Sequence, residues 1–301
     1  MKNYFENATI ICLDGLDCSG KETISKLIEK SNKIHDKYDF VKTISFPNYF
    51  NIIDTMNNKD MISNLLNPGV YKFHNDGILA NTNFDKIIFE ARMFYYNIYN
   101  GLMTINNRFG KVGGDIDNNN KRRLFIMDRY WQSNVFYQTS RYLLMKYNKK
   151  IADKKKFDDS LYEISKILLS EAEIFNFPKV NKYFYIQMPI EFIEYFLSKK
   201  KNKDANELDM KYIKYTKDIY DNHLDLVQTC DDNIKIYTID AEYERFINER
   251  IEYAPEVIKA FTDKKDDRFV YAVSIDKSYQ KLKNTKELAE EIIEKILEEE
   301  E

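Results

Sequence analysis

The stretch "GLDCSGKET", residues 15 to 23, decides the fold of this chain. It nearly fits the phosphate-binding loop G-x-x-x-x-G-K-[ST], with both glycines and Lys21 in place. Glu22 takes the hydroxyl position, and the hydroxyl arrives one residue later at Thr23. A carboxylate beside triphosphate oxygens is unfavourable unless it points away. The loop alone therefore leaves two interpretations open, a nucleotide site or a glycine turn that binds nothing.

The segments on either side of the loop favour the nucleotide site. Residues 8–15, "ATIICLDG", form a continuous apolar run, which is typical of a strand buried on both faces of a parallel sheet. After the loop, Ile24, Leu27 and Ile28 recur at helical spacing. The order strand, glycine loop and helix is the context in which such a motif cradles phosphate on a helix N-terminus.

The rest of the chain alternates further strand patterns with amphipathic helical patterns. The other predicted strands cover residues 38–50, 122–130, 182–189, 234–240 and 268–276. This alternation predicts an α/β fold with three layers (α/β/α), like that of the P-loop NTPases, around a parallel sheet of about five strands.

Helices and loops fill the intervals between these strands. The predicted helices cover residues 51–66, a stretch ending near 102, residues 190–226 with a break, and an acidic helix from residue 285. The predicted loops cover residues 67–85 and 106–121. We interpret residues 1–301 as one P-loop domain with insertions at these two loops and a C-terminal extension at 228–301.

The composition restricts the class of partner. The chain has 301 residues, 46 Lys plus Arg and 49 Asp plus Glu, which gives a formal net charge of −3. This balance indicates neither a nucleic-acid surface nor a membrane surface, and we expect small-molecule substrates. The 3 cysteines show no metal-ligand spacing and suit a reducing compartment. We therefore expect a cytoplasmic protein, in the host cytoplasm if the source is a virus.

Two further motifs lie at the ends of predicted strands. "FPNY" spans residues 46–49, and "MDRYWQSNVFYQ" spans residues 127–138. Asp128, at the carboxyl end of a parallel strand beside the loop strand, is placed to reach Mg²⁺ or its water. Arg129 next to it is a residue that grips phosphate through two parallel hydrogen bonds. Taken alone, this Asp-Arg pair is equally well explained as a structural ion pair.

Together the three motifs resemble the thymidylate kinase family of nucleoside monophosphate kinases. That family has the pattern G-x-D-x-x-G-K-x-T, then F-P-x-Y, then D-R-Y-x-x-S-x-x-A-Y-Q. The resemblance spans about residues 8–226 and includes the fourth predicted strand. In the family the residue after the lysine varies and the threonine one place later is regular. The resemblance therefore removes the objection that Glu22 raises.

The resemblance implies a role for each matching position. Lys21 would bind the phosphates of ATP, Asp128 would serve Mg²⁺, Arg129 would hold the acceptor phosphate, and Asp17 would face the acceptor. The loop positions implied in ATP binding are Gly15, Cys18, Ser19, Gly20, Lys21, Glu22 and Thr23. The positions implied in nucleoside binding are Phe46, Tyr49, Arg92, Ser133, Asn134 and Tyr137. The family is commonly homodimeric, which implies a homodimer here.

The chain departs from the family at one important position. The family carries a phosphate-binding arginine in the loop or in a mobile lid after the fourth strand. The loop here has cysteine and serine, and the lid candidate at 198–209 has four lysines and no arginine. Lysine supplies charge without the bidentate fork of arginine. The lysines that would stand in are Lys199, Lys200, Lys201 and Lys203.

The expected function is phosphorylation of dTMP by ATP, with Mg²⁺, to give dTDP. One alternative is a kinase of the same fold for a 5-substituted dUMP or for a modified base in DNA. An alternative from another class is a catalytically weak nucleotide-binding interaction module. The missing lid arginine favours that module, whereas the presence of Lys21, Asp128 and Arg129 argues against it.

Overall fold

Five parallel strands form the central sheet of the protein. The computed structural model describes residues 5–45, 83–112, 121–147, 154–199, 210–230, 233–247, 272–275 and 278–298. The strand order is β2-β3-β1-β4-β5, and each neighbouring pair is parallel. The strands are β1 Thr9–Asp14, β2 Phe40–Ser45, β3 Arg123–Asp128, β4 Lys182–Gln187 and β5 Lys235–Asp240. The predicted parallel sheet of about five strands is confirmed.

Helices cover this sheet and give the fold its three α/β/α layers. The helices are α1 Lys21–Glu29, α2 Asn32–Lys37, α3 Phe84–Val112, α4 Trp131–Tyr147, α5 Lys154–Glu173, α6 Ile190–Lys199, α7 Met210–Asn222 and α8 Thr285–Leu297. A 3₁₀ turn, Leu224–Cys230, follows α7. Helix α8 packs on α1 and α2, while α3, α4 and α5 pack on one another. No helix in the described part of the chain is long and apolar enough to span a bilayer.

The acidic helix predicted near the end of the sequence is confirmed as α8. Asn284 begins it with a capping box, because its side chain accepts hydrogen bonds from the backbone N–H groups of Lys286 and Glu287. The other end rests on Lys182, whose ammonium group donates hydrogen bonds to carbonyls of the last helical turn. The apolar side of α8 belongs to the main hydrophobic core. Helix α8 therefore shares one hydrophobic core with the central sheet.

A second, antiparallel sheet was only partly predicted. It contains β6 Glu242–Ile247, β7 Ala272–Ile275 and β8 Ser278–Leu282 in the order β6-β8-β7. The strand predicted over residues 268–276 corresponds to β7. The sequence analysis did not predict β6 and β8. The pairing of β6 with β8 joins segments distant in sequence and leaves no local pattern, whereas β8 also pairs with its sequence neighbour β7 and was missed there.

One predicted loop is wrong in its first part. Residues 106–112, assigned to a polar loop, continue α3 as helix to Val112. Extending an existing helix by one residue needs no new nucleus, so a few poor helix formers are tolerated. The helix predicted over 51–66 and most of the loop predicted over 67–85 lie outside the described residues. Helix α3 begins at Phe84.

Candidate active site

The glycine loop joins the carboxyl end of β1 to the amino end of α1. Gly15 has φ 140° and Gly20 has φ 83°, in the region that favours glycine. A side chain at Gly15 would also begin 2.8 Å from the carbonyl oxygen of Ile186 on β4. The loop is therefore pressed against the neighbouring strand and turns directly into the first N–H groups of α1. In loops of this type the N–H groups at the start of the helix bind phosphate oxygens.

Lys21 is held inside the loop. Its side chain is buried, and its Nζ donates to the carbonyl oxygens of Gly15 at 2.9 Å and Leu16 at 2.5 Å. It also donates to the hydroxyl of Ser19 at 3.1 Å. Burial lowers the pKa of Lys21, while the nearby carboxylate of Asp128 favours the charged form. The loop thus places one compact positive charge where phosphate groups would lie.

Asp128 ends β3 directly beside the loop strand. Its carboxylate is 8% exposed and accepts a hydrogen bond from the hydroxyl of Ser45, the last residue of β2, at 3.3 Å. Burial raises the pKa of Asp128, and the positive charge of Lys21 opposes that rise. Three neighbouring elements therefore bring a lysine, a carboxylate and a hydroxyl to the carboxyl edge of the sheet. In open α/β sheets this edge is where ligands bind.

Arg129 and Asp17 come from two different predicted motifs and contact each other. Arg129 Nη2 donates to Asp17 Oδ1 in a partly exposed ion pair. The guanidinium carbon lies 5.4 Å from the centre of the Tyr137 ring, in cation–π contact. Arg129 has φ 63°, a left-handed conformation that is rare outside glycine. The carboxylate and the ring together fix the guanidinium beside the glycine loop.

Glu22 points away from the phosphate cradle. Its carboxylate is 2.6 Å from the ammonium group of Lys26, one turn along α1, and both side chains are mostly exposed. This geometry removes the repulsion expected between a carboxylate at this position and a bound triphosphate. The backbone N–H of Thr23 donates to the carbonyl of Gly20, which begins the helix. The side chain of Thr23 is exposed.

The first turns of α4 present the predicted nucleoside-binding residues. Ser133 and Asn134 are buried, and the hydroxyl of Ser133 accepts from the backbone N–H of Tyr130 at 3.4 Å. Asn134 Nδ2 is buried without a hydrogen-bond partner among the described residues. A buried amide donor of this kind is costly unless another group completes it. Tyr137, three residues later, lies against Arg129 as described above.

Arg92 is paired with a residue outside this cluster of loop and strand-end residues. It projects from α3 and forms a bidentate ion pair with Glu171 on α5, at 2.5 and 2.6 Å. The side chain of Arg92 is 58% exposed. Its contact with the base or the phosphate of a substrate stays a prediction. Phe46, Tyr49 and the lid lysines Lys200, Lys201 and Lys203 lie outside the described residues, as does the side chain of Lys199.

The sequence analysis missed a buried carboxylate directly before the loop. Asp14 has no exposed surface, and its Oδ1 accepts from the backbone N–H of Gly15 at 2.7 Å. The hydroxyl of Tyr220 donates to the same oxygen at 3.1 Å, and the hydroxyl of Tyr183 donates to Oδ2. An acidic residue at the end of an apolar strand, next to the first glycine, was the available signal.

The donor set fits magnesium bound together with a nucleotide. Within the described ranges, no group of three or more His, Cys, Asp or Glu side chains could hold a metal ion alone. Mg²⁺ in phosphoryl-transfer sites takes most of its ligands from phosphate and water and needs only one or two carboxylates. Asp128, beside Lys21 and the loop, meets that requirement.

Comparisons with known proteins give only distant similarities. No family model matches the chain, and no curated protein matches it. Among solved structures it is similar to thymidylate kinase from Candida albicans, with 17% identity, 92% of this chain and 99% of that chain covered, and TM-score 0.43. Thymidylate kinase from Ehrlichia chaffeensis gives 15% identity, 85% and 99% coverage, and TM-score 0.39. Deoxyadenosine kinase from M. mycoides, with bound dATP, gives 13% identity, 85% and 100% coverage, and TM-score 0.43.

Proposed function

We propose that this chain transfers the γ-phosphoryl group of ATP to a deoxynucleoside monophosphate, with dTMP as the acceptor. The observation that carries the proposal is the cluster at the carboxyl edge of the sheet. Lys21 in a strand–loop–helix cradle, Asp128 at the end of β3, and the Arg129–Asp17 pair meet there. Each has the chemistry that phosphoryl transfer requires at its position.

The cradle accounts for the ATP side of the reaction. The backbone N–H groups at the start of α1 and the ammonium group of Lys21 supply positive charge to the β- and γ-phosphates. Lys21 already lies within the loop, so binding phosphate exchanges loop carbonyls for phosphate oxygens as its acceptors. Little side-chain reorganisation is needed, which favours stabilisation of the transition state.

Arg129 accounts for the acceptor side. Asp17 and Tyr137 hold its guanidinium group beside the glycine loop, and the planar fork of an arginine is suited to bind the phosphate of a nucleoside monophosphate. The acceptor phosphate is then fixed relative to the loop that holds ATP. Such positioning supplies a large share of the rate in a reaction with two substrates.

The chemical step needs no covalent enzyme intermediate. An oxygen of the acceptor phosphate is itself the nucleophile, and ADP is the leaving group. Asp128 would hold Mg²⁺, which would supply positive charge against the negative charge that develops on the transferred phosphoryl group. The protein residues contribute alignment and electrostatic stabilisation, and they exclude water that would otherwise hydrolyse ATP. The lid lysines Lys199, Lys200, Lys201 and Lys203 are proposed to supply the charge that the family places on an arginine.

Thymine as the acceptor base rests on the motif resemblance. Asn134 offers a buried amide donor at the site, and Ser133 and Tyr137 lie on the same helix. A 5-substituted uracil carries the same hydrogen-bonding edge as thymine and differs only in bulk at the methyl position. A kinase for such a modified nucleotide is therefore the runner-up.

The test is a phosphoryl-transfer assay with ATP and magnesium across a panel of acceptors. The panel contains dTMP, dUMP, 5-substituted dUMPs, dCMP, dGMP, dAMP and UMP. We expect preference for dTMP, with loss of activity in Lys21→Ala and little change in the control Lys33→Ala, whose side chain is exposed on α2. Preference for a 5-substituted dUMP would support the runner-up. ATP binding without transfer to any acceptor would contradict the kinase proposal and support the interaction module.

A further inference from the structure

The buried carboxylate of Asp14 has no place in the mechanism above. It lies at a position with no solvent access, directly before the first glycine of the loop. Three donors satisfy it, namely the N–H of Gly15 and the hydroxyls of Tyr183 and Tyr220. Burial, together with the charge of Asp14, raises the pKa of both tyrosines well above its usual value. The two hydroxyls therefore remain protonated and act as donors.

The two tyrosines reach this carboxylate from different parts of the fold. Tyr183 belongs to β4, the strand that pairs with β1, so its hydroxyl bond joins neighbours within the sheet. Tyr220 belongs to α7, and its hydroxyl bond joins a helix to the strand that carries the glycine loop. The first contact reinforces pairing that the sheet already provides. The hydroxyl bond of Tyr220 joins α7 to β1, a connection that sheet pairing does not provide.

The ring of Tyr220 continues this connection to the acceptor side of the site. It stacks on Phe136 with ring centres 4.1 Å apart and on Tyr185 with centres 5.1 Å apart. Its edge meets the ring of Tyr137 at 6.2 Å and an angle of 78°. The opposite contact of Tyr137 is the guanidinium group of Arg129. An unbroken series of contacts therefore runs from the carboxylate before the loop to the arginine beside it.

We propose that Tyr220 is a positioning residue that keeps Arg129 in register with the phosphate loop, through its hydroxyl bond to Asp14 and its ring contact with Tyr137. This inference rests on the proposed function, because it assigns Arg129 to the acceptor phosphate. The loop fixes the donor phosphates and Arg129 fixes the acceptor. Asp17 ties Arg129 to the loop directly. Tyr220 supports the same arginine through the ring of Tyr137, so the separation of the two phosphates depends on both supports. Misplacement of reacting groups by about 1 Å can cost on the order of a hundredfold in rate.

The competing explanation is that both hydroxyls merely satisfy a buried carboxylate. Under that explanation Tyr183 and Tyr220 are equivalent, because each donates one hydrogen bond to one oxygen of Asp14. Loss of either would lower stability by a similar amount and leave the arginine unaffected. The pair Tyr183→Phe and Tyr220→Phe therefore separates the two explanations, since each variant removes one hydroxyl and keeps the ring.

The first measurement is steady-state kinetics of the full chain and both variants with ATP and dTMP. We expect Tyr220→Phe to lower kcat/KM for dTMP at least about tenfold, with KM for ATP changed less than about twofold. Tyr183→Phe should stay within about twofold of the parent in both parameters. Equal kinetic effects of the two variants, at equal loss of melting temperature, would overturn the positioning role.

The second measurement does not depend on turnover. Backbone amide hydrogen exchange of the ligand-free protein is followed by peptide in both variants. We expect Tyr220→Phe to speed exchange across residues 129–137, and Tyr183→Phe to leave those residues unchanged. Unchanged exchange there in Tyr220→Phe would contradict the inference. If the parent protein phosphorylates no acceptor, the proposed function fails, and this exchange comparison still decides whether Tyr220 supports Arg129.

Discussion

Two buried lysines lie at opposite ends of the parallel strands of the central sheet. Lys21 follows the carboxyl end of β1 and donates three hydrogen bonds within the loop that contains it. Lys182 begins β4 at the amino edge and donates to carbonyls of Lys295, Ile296 and Glu298 at the end of α8. Their exposure is nearly equal, 5% and 4%. Burial of a charge therefore does not by itself identify a functional residue.

The acceptors of the two ammonium groups explain the difference. The C-terminal end of a helix carries unpaired carbonyls and a partial negative charge. The ammonium group of Lys182 hydrogen-bonds these carbonyls and so stabilises the end of α8 whether or not a ligand is bound. The acceptors of Lys21 are carbonyls and a hydroxyl of a short loop whose N–H groups also face the site. A phosphate can replace those acceptors without disturbing the core. One lysine is committed to the fold and the other is available to a ligand.

Replacing Lys21 tests the functional half of this comparison and has the largest expected effect. Lys21→Met keeps the length of the side chain and removes the charge. We expect the rate of phosphoryl transfer to fall on the order of a thousandfold, since the variant loses charge stabilisation at the transferred group. The measurement is kcat with saturating ATP and dTMP. Retention of more than a tenth of the parent rate would show that Lys21 is as structural as Lys182.

Replacing Arg129 is expected to have the next largest effect. Arg129→Ala removes the fork that we assign to the acceptor phosphate, and we expect kcat/KM for dTMP to fall about a hundredfold. ATP affinity, measured by calorimetry, should change little because the cradle remains. Weaker ATP binding with unchanged kinetics for the acceptor would show that Arg129 binds ATP and not the acceptor phosphate.

Replacing Lys182 tests whether this lysine stabilises the fold and takes no part in the reaction. Lys182→Met leaves the last carbonyls of α8 without their buried donor, and we expect a loss of about 2 kcal/mol in the free energy of unfolding. Urea denaturation followed by circular dichroism measures that loss. The kcat of the folded protein should remain at the parent value. A loss of activity larger than the loss of folded protein would break the comparison between the two lysines.

The smallest effect is expected for Arg92. Its guanidinium is exposed and bound to Glu171, so Arg92→Ala should leave kcat/KM for dTMP within about twofold of the parent. Glu171→Ala is the matched variant, since it removes the same ion pair and keeps the arginine. If Arg92→Ala lowers activity tenfold or more and Glu171→Ala does not, the loss is not due to the ion pair. That result would show that Arg92 leaves Glu171 to contact the substrate, as the motif resemblance implies.

The sequence predicted the parts of the molecule that depend on local patterns. Continuous apolar runs marked β1, β3 and β4, because strands buried on both faces need such runs. The loop motif placed Lys21, and the strand-end rule placed Asp128 beside it. The direct contact between Arg129 and Asp17 was not predicted, although each residue was assigned to the acceptor separately. A motif gives the role of a residue without giving its partners.

The remaining features depend on contacts between distant parts of the chain. Asp14 finds its donors 169 and 206 residues away, and Lys182 finds its acceptors more than 110 residues away. No window of sequence contains both partners of such a pair. Within the antiparallel sheet, the pairing of β6 with β8 escaped prediction for the same reason. A homodimer, a cytoplasmic location and the division into one domain with insertions stay predictions.

The position of α8 has a consequence for how the protein is made. This helix packs on α1, the helix that carries the phosphate cradle, although the two are separated by most of the polypeptide. A ribosome produces α8 long after α1, so the apolar surface that Leu288, Ile292 and Ile296 will cover stays open while residues 30–284 are made. Exposed apolar surface of this kind is a binding site for chaperones. The glycine loop and α1 therefore gain this support only after those intervening residues have been synthesised.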